Sequence, residues 1–70
     1  MMEFTIGDIL ELDENILFYD KGLIAQVVEI ENEYYGWVRI LNSKKEDLIG
    51  KTKHANLILF KLVRRGGLYV

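Results

Sequence analysis

The chain has no cysteine and no proline, and only one histidine and one tryptophan stand among its 70 residues. Without cysteine, neither a disulfide nor a thiolate-held metal can brace a small fold, and the composition suits a reducing, cytoplasmic compartment. Without proline, glycine alone punctuates the chain. Gly7, Gly22, Gly36, Gly50, Gly66 and Gly67 each stand at or near the edge of an apolar run, which fits short strands joined by turns better than helices. No apolar run approaches the ~20 residues of a membrane span. The opening segment MMEFTIGDIL is acidic rather than basic, so it does not read as a signal peptide. These absences predict a cytoplasmic protein with no membrane partner.

Scarcity also bears on catalysis. A nucleophile with its base and orienting group needs a histidine or a paired acid in a pocket. The one histidine, His54, adjoins Lys53 and is remote in sequence from Ser43 and from most acids. A transition-metal site would need an acid-rich ligand set, and no ligand spacing is recognisable. The segment DENILFYD (13–20) lacks the oxygen-ligand rhythm and central glycine of a calcium loop. RRGG (64–67) is too isolated to make a phosphate loop. The expectation is a non-enzyme without metal or cofactor.

What is present is a generous apolar content, 50% of residues, which argues against disorder. The length allows one domain over 1–70, with 66–70 as a tail. A chain of this size buries only about 60% of its unfolded surface. The net charge of −2 conceals a division. Residues 1–41 carry nine acids against Lys21 and Arg39, a balance of −7, and residues 42–70 carry seven bases against Glu46 and Asp47, a balance of +5. Such asymmetry suits an oriented partner or self-association of opposite faces. Interleaved strands would mix the charges again, and that outcome is the one favoured.

Five strands are predicted. GDILEL (7–12) puts Leu10 and Leu12 on one face, with Ile9 and Glu11 on the other. DENILFYDKG (13–22) reads as a long loop folded back on the core. LIAQVVEIE (23–31) sets Ile24, Val28 and Ile30 against Gln26, Glu29 and Glu31, with Ala25 and Val27 partly covered. Asn32-Glu33 makes a tight hairpin. YYGWVRIL (34–41) is aromatic and β-branched, as strands are. EDLIGKT (46–52) and LILFKLV (57–63) complete the set, after a polar turn at 42–45. Two other readings stay open. Ser43 and Glu46 have capping-box spacing, which suits a helical turn over 44–49, and Asn56 could cap a helix over 57–65 that Gly66 stops.

FTIGDILEL (4–12) resembles the SH3-domain strand with a hydrophobic-x-x-Gly-Asp-x-Leu-x-hydrophobic pattern, and GWVRIL (36–41) resembles its central tryptophan strand. LIGKTKHANLILF (48–60) resembles the SH3 close, where a strand enters a short 3₁₀ turn ending in Asn before the last strand. GDILEL with DKGLIAQVVEI is similar to the KOW-type pattern of ribosomal and transcription-elongation proteins. GGLYV (66–70), following Lys53-His54, resembles the end of small prophage-encoded SH3-like proteins of unassigned function. The resemblance implies an all-β, five-stranded SH3-like barrel. It departs from both families in places. The Ala-Leu-Tyr-Asp-Tyr motif and the late proline of proline-peptide SH3 domains are missing. The loop where KOW domains are basic carries Asp13, Glu14 and Asp20 against Lys21, summing to −2.

Binding is therefore the expected activity. In period two, Tyr35, Trp37 and Arg39 share one face of their strand, while Tyr34, Val38 and Ile40 take the other. Val38 and Ile40 belong to the core, so Tyr35, Trp37 and Arg39 could form an outward platform with a cation at its edge; the equal alternative is that Trp37 closes one end of a barrel or packs under the 13–22 loop. Aromatics and arginine are enriched at interface hot spots. Phe18, Tyr19, Tyr35, Trp37 and Tyr69 are more than this core can hide. The candidate protein-binding residues are Phe18, Tyr19, Asp20, Tyr35, Trp37 and Arg39, acting as an adaptor or inhibitor surface. The alternative is single-stranded nucleic acid, stacked on the same aromatics and held by Lys51, Lys53, Lys61, Arg64 and Arg65. The excess of acids weighs against it, since phosphate binding depends on clustered lysine and arginine.

Overall fold

The computed structural model describes residues 4–66, so the LYV tail with Tyr69, and Gly67 before it, lie outside the described residues. Strands β1 (Ile9–Leu12), β2 (Ile24–Ile30), β3 (Tyr35–Asn42), β4 (Thr52–Asn56) and β5 (Phe60–Arg64) form one antiparallel sheet in the order β4-β3-β2-β1-β5. Two 3₁₀ turns, Glu46–Leu48 and Leu57–Leu59, precede β4 and β5. No α-helix occurs among the described residues, and no helix there is long and apolar enough to cross a membrane.

One face of the sheet supplies the core. Leu10 and Leu12 of β1, Ala25 and Val27 of β2, and Val38 and Ile40 of β3 are buried, together with Leu23 and Leu57. A lone sheet can cover its own apolar face only by curling, and bulges provide the bend. Val27 faces Val38 while Glu29 faces Trp37, so Val28 is an extra residue in the β2–β3 ladder. A second irregularity lies at Ile24–Ala25 and a third between β1 and β5 at Ile9–Leu10. The bulge at Val28 is accommodated by Gly36. A β-carbon there would come within 2.5 Å of the Glu29 carbonyl oxygen and 3.1 Å of Leu57 Cδ1.

The loop after β1 is closed at its stem by Leu12 N–H donating to Leu23 O (2.8 Å) and Gly22 N–H donating to Leu12 O (2.9 Å). It folds back as expected. Ile16 and Tyr19 pair with each other and pack against the core, and Lys45 Nζ donates to Phe18 O (3.0 Å). The β2–β3 hairpin turns at Asn32, whose Oδ1 accepts from the N–H groups of Tyr34 (2.9 Å) and Tyr35 (3.0 Å). Such a side-chain-to-backbone bond is how asparagine stabilises a turn.

Three strand expectations need correction. The strand at 46–52 is a 3₁₀ turn at Glu46–Leu48, within the 44–49 span of the alternative helical turn, followed by β4 at 52–56, and Ser43 Oγ accepts from Lys45 N–H (3.1 Å) without capping that turn. The strand at 57–63 begins only at Phe60. Asn56 Oδ1 accepts from Ile58 N–H (3.1 Å) and buried Leu57 pins the turn, so one 3₁₀ turn forms where a helix to 65 was the other reading. The core side of 23–31 is Leu23, just before β2, with Ala25 and Val27, not Ile24, Val28 and Ile30. The bulge changes the phase mid-strand, and Val28 and Ile30 are left over a third exposed.

The chain's two ends meet at Asp8, whose side chain is fully buried. Its carboxylate accepts from Thr5 N–H (2.9 Å), Thr5 Oγ1 (3.1 Å), Arg65 Nη1 (2.8 Å) and Gly66 N–H (2.7 Å). Gly66 lies so close to this segment that a β-carbon on it would overlap the Gly7 carbonyl carbon at 1.9 Å. Burial by itself pushes the Asp8 carboxyl up. The bonds from Gly66 and Thr5 and the Arg65 charge outweigh it and hold the group below the ordinary 3.8.

A carboxylate with a depressed folded pKa stabilises the fold above the unfolded value and loses that contribution as pH falls through the folded one. Resistance of the native chain to urea is therefore expected to fall below about pH 4. Asp8→Asn is expected to cost about 2–4 kcal/mol at neutral pH and to flatten the acid loss. An unchanged urea midpoint for the variant at pH 7 would contradict this role.

Candidate functional site

β3 divides its residues between the two sides of the sheet. Gly36, Val38 and Ile40 are buried, while Tyr35, Trp37 and Arg39 are exposed. Tyr35 and Trp37 keep 41% and 39% of their surface open, so the platform expected from the period-two pattern faces solvent. Its neighbours follow from the register, because residues directly opposite in an antiparallel ladder share a face. Trp37 lies between Glu29 of β2 and His54 of β4, and Arg39 lies between Gln26 and Thr52.

His54 joins the cluster in a way the sequence did not suggest. Its ring stacks on Tyr35, with centroids 5.5 Å apart and planes 11° from parallel, and lies tilted against Trp37 at 5.0 Å. Its Nε2 meets Glu31 Oε1 at 2.5 Å. Three aromatic rings and a carboxylate thus form one continuous outer surface on β3 and β4. A lone histidine in a polar stretch carries no such signal. Only the pairing of Trp37 with His54 reveals it.

The loop candidates separate from this face. Ile16 and Tyr19 close a two-residue tip, so Leu17 and Phe18 project from it, 85% and 65% exposed. Tyr19 is the staple that holds the loop to the core, and Asp20 is half-buried, its carbonyl accepting from Leu23 N–H (3.1 Å). Leu17 went unremarked in the sequence because the tip lacks the glycine or asparagine that marks a two-residue turn. No hydrogen bond, ion pair or ring contact joins Phe18, Tyr19 or Asp20 to Tyr35, Trp37 or Arg39. An apolar cleft of about 130 Å³ opens beneath the loop, lined by Leu12, Ile16, Tyr19, Lys53, Leu59 and Phe60 among others.

The second-half candidate cations lie on or beside β4 and β5, the edge strands of the sheet. Lys61 Nζ lies 3.6 Å from Asp13 and 4.0 Å from Glu11, and Arg65 is bound to Asp8. Lys53 is half-buried at the cleft, whereas Lys51 and Arg64 are exposed. Among the described residues no three His, Asp or Glu side chains gather as a metal site. Comparisons with protein-family models, with curated proteins and with solved structures found no match.

Because Trp37 stands on the outer face of β3, Trp37→Ala is expected to cost about 1 kcal/mol or less. Leu10→Ala, at a fully buried site, is expected to cost about 2–5 kcal/mol. Urea midpoints of the two variants check this, and equal losses would make Trp37 a core residue.

Proposed function

We propose that this chain is a non-catalytic binding module with an SH3-like barrel architecture, and that its recognition surface is the outer face of β3 and β4. The strand order supports the architectural reading, with the last strand beside the first and a 3₁₀ turn before that last strand. The Gly-Asp motif also fits, since it leads into β1 with Asp8 buried. The observation that carries the functional reading is the solvent-facing Tyr35–His54–Trp37 cluster. Tyr35 stacks on His54 and Trp37 tilts against it, while both keep about two-fifths of their surface open to solvent. Rigid aromatic side chains with an adjoining arginine are what interface centres are made of.

The partner class is a protein. The same rings would stack nucleic-acid bases, but phosphate binding needs a run of available cations. On this face Glu29 lies across the ladder from Trp37 and Glu31 meets His54, Arg39 is the one arginine of β3, and Lys61 and Arg65 lie against acids.

The test compares the native chain with Trp37→Ala as baits in extract of the source cell, after circular dichroism has shown both to be folded. Proteins retained by the native chain and lost from the variant are expected. Identical partner lists would remove this face from the reading. In parallel, tryptophan fluorescence during titration with single-stranded RNA at about 50 mM salt is expected to stay flat. A saturable change that vanishes near 200 mM salt would turn the assignment to nucleic acid.

A further inference from the structure

We infer that the outer face of β3 and β4 receives a cationic side chain of its protein partner, above all an arginine, seated on Trp37 against Glu29, beside the Tyr35 ring and the Glu31 carboxylate that His54 already engages. This rests on the reading of that face as the recognition surface, and it specifies what the surface recognises. The face of an aromatic ring carries negative charge and attracts a cation. Here two such rings stand beside two carboxylates. Glu29 is directly across the ladder from Trp37, and Glu31 reaches the same cluster through His54. Glu33, in the turn that joins β2 to β3, is exposed as well.

The two carboxylates differ in their partners. Glu31 already has a nitrogen on it, since His54 lies flat on Tyr35 while its Nε2 meets the carboxylate. The neighbouring pair, Trp37 and Glu29, repeats the ring and the acid without the donor, because Glu29 makes no side-chain hydrogen bond or ion pair among the described residues. A planar guanidinium would supply on Trp37 and Glu29 what the imidazole supplies on Tyr35 and Glu31. Arginine suits this better than lysine, since its fork stacks on rings and bonds carboxylates in pairs.

Other occupants fit worse. An acidic or phosphate-bearing segment would meet ring faces and carboxylates of its own sign. A purely apolar segment would strip water from Glu29 and Glu31 and return no counter-charge. Arg39, two residues along β3 and flanked only by Gln26 and Thr52 in the ladder, reverses the sign at the far end of the face. The partner would therefore be oriented, with its cation toward the β2–β3 turn.

Four short glycine-serine peptides provide the test, carrying two arginines, two lysines, two glutamates or two leucines. Each is titrated into the folded native chain at low salt while the single tryptophan is followed by fluorescence and by its indole proton resonance. The arginine peptide is expected to give a saturable change, the lysine peptide a weaker one, and the other two none. Glu29→Gln with Glu31→Gln is expected to weaken the arginine peptide about threefold to tenfold. Both sites are exposed, so the variant keeps its fold. Preference for the glutamate or leucine peptide would overturn the cation and leave the binding-module reading standing. Arginine binding that the double variant does not weaken would overturn the assigned carboxylates. Silence from all four peptides would overturn the inference, and the partner comparison with Trp37→Ala would still decide the module reading separately.

Discussion

The architecture depends on one buried charge. Asp8 has no exposed surface, and a carboxylate in that position is tolerable only if donors surround it. Its donors come from two places, Thr5 just before β1 and Arg65-Gly66 just after β5. Satisfying the carboxylate and docking the last strand beside the first are therefore one event. From that docking follows the strand order, with β5 at one edge and β4 at the other. The aromatic surface depends on it at one remove, because β4 contributes His54 and is itself linked to β5 by the Asn56-capped turn.

A second constraint is the alternation of β3. Gly36, Val38 and Ile40 are needed inside, which leaves Tyr35, Trp37 and Arg39 no place but outside. The bulge at Val28 then brings Glu29 out on the Trp37 side, where an unbroken period-two strand would have sent it to the core side with Val27. The same few features thus decide both packing and the character of the exposed face. Gly36 serves both, since only a residue without a side chain allows the β2 backbone and Leu57 to come so near.

Folding also sets part of the acidic half against the basic half. Lys61 approaches Glu11 and Asp13, Arg65 grips Asp8, and His54 meets Glu31. Each pair joins the acidic half to the basic half. The cause is topological, since β5 pairs with β1 and β4 stands beside β3, next to the acidic hairpin turn.

Much of this was legible beforehand. The alternation of GDILEL and of YYGWVRIL, the folded-back loop and the hairpin at Asn32 are written in local patterns, because β-branched and aromatic side chains and turn-forming asparagine act over a few residues. β4 was not legible, since TKHAN has almost no apolar content and is a strand only because β3 offers it a ladder. Leu57–Leu59 misled in the opposite sense. Three apolar residues look like strand or helix, but the Asn56 cap and the burial of Leu57 make them a turn.

The candidate site divides in the same way. That Tyr35, Trp37 and Arg39 share a side was set by their spacing, and that this side faces outward was set by the apolar residues between them. The company they keep was not. Glu29 beside Trp37 depends on a bulge, His54 on the register of an edge strand, and the Asp8 bonds on a contact 58 residues long in sequence. Period and propensity are properties of neighbours along the chain and can be read there. Register between strands is settled only when the whole core closes, and it was the register that assembled the surface.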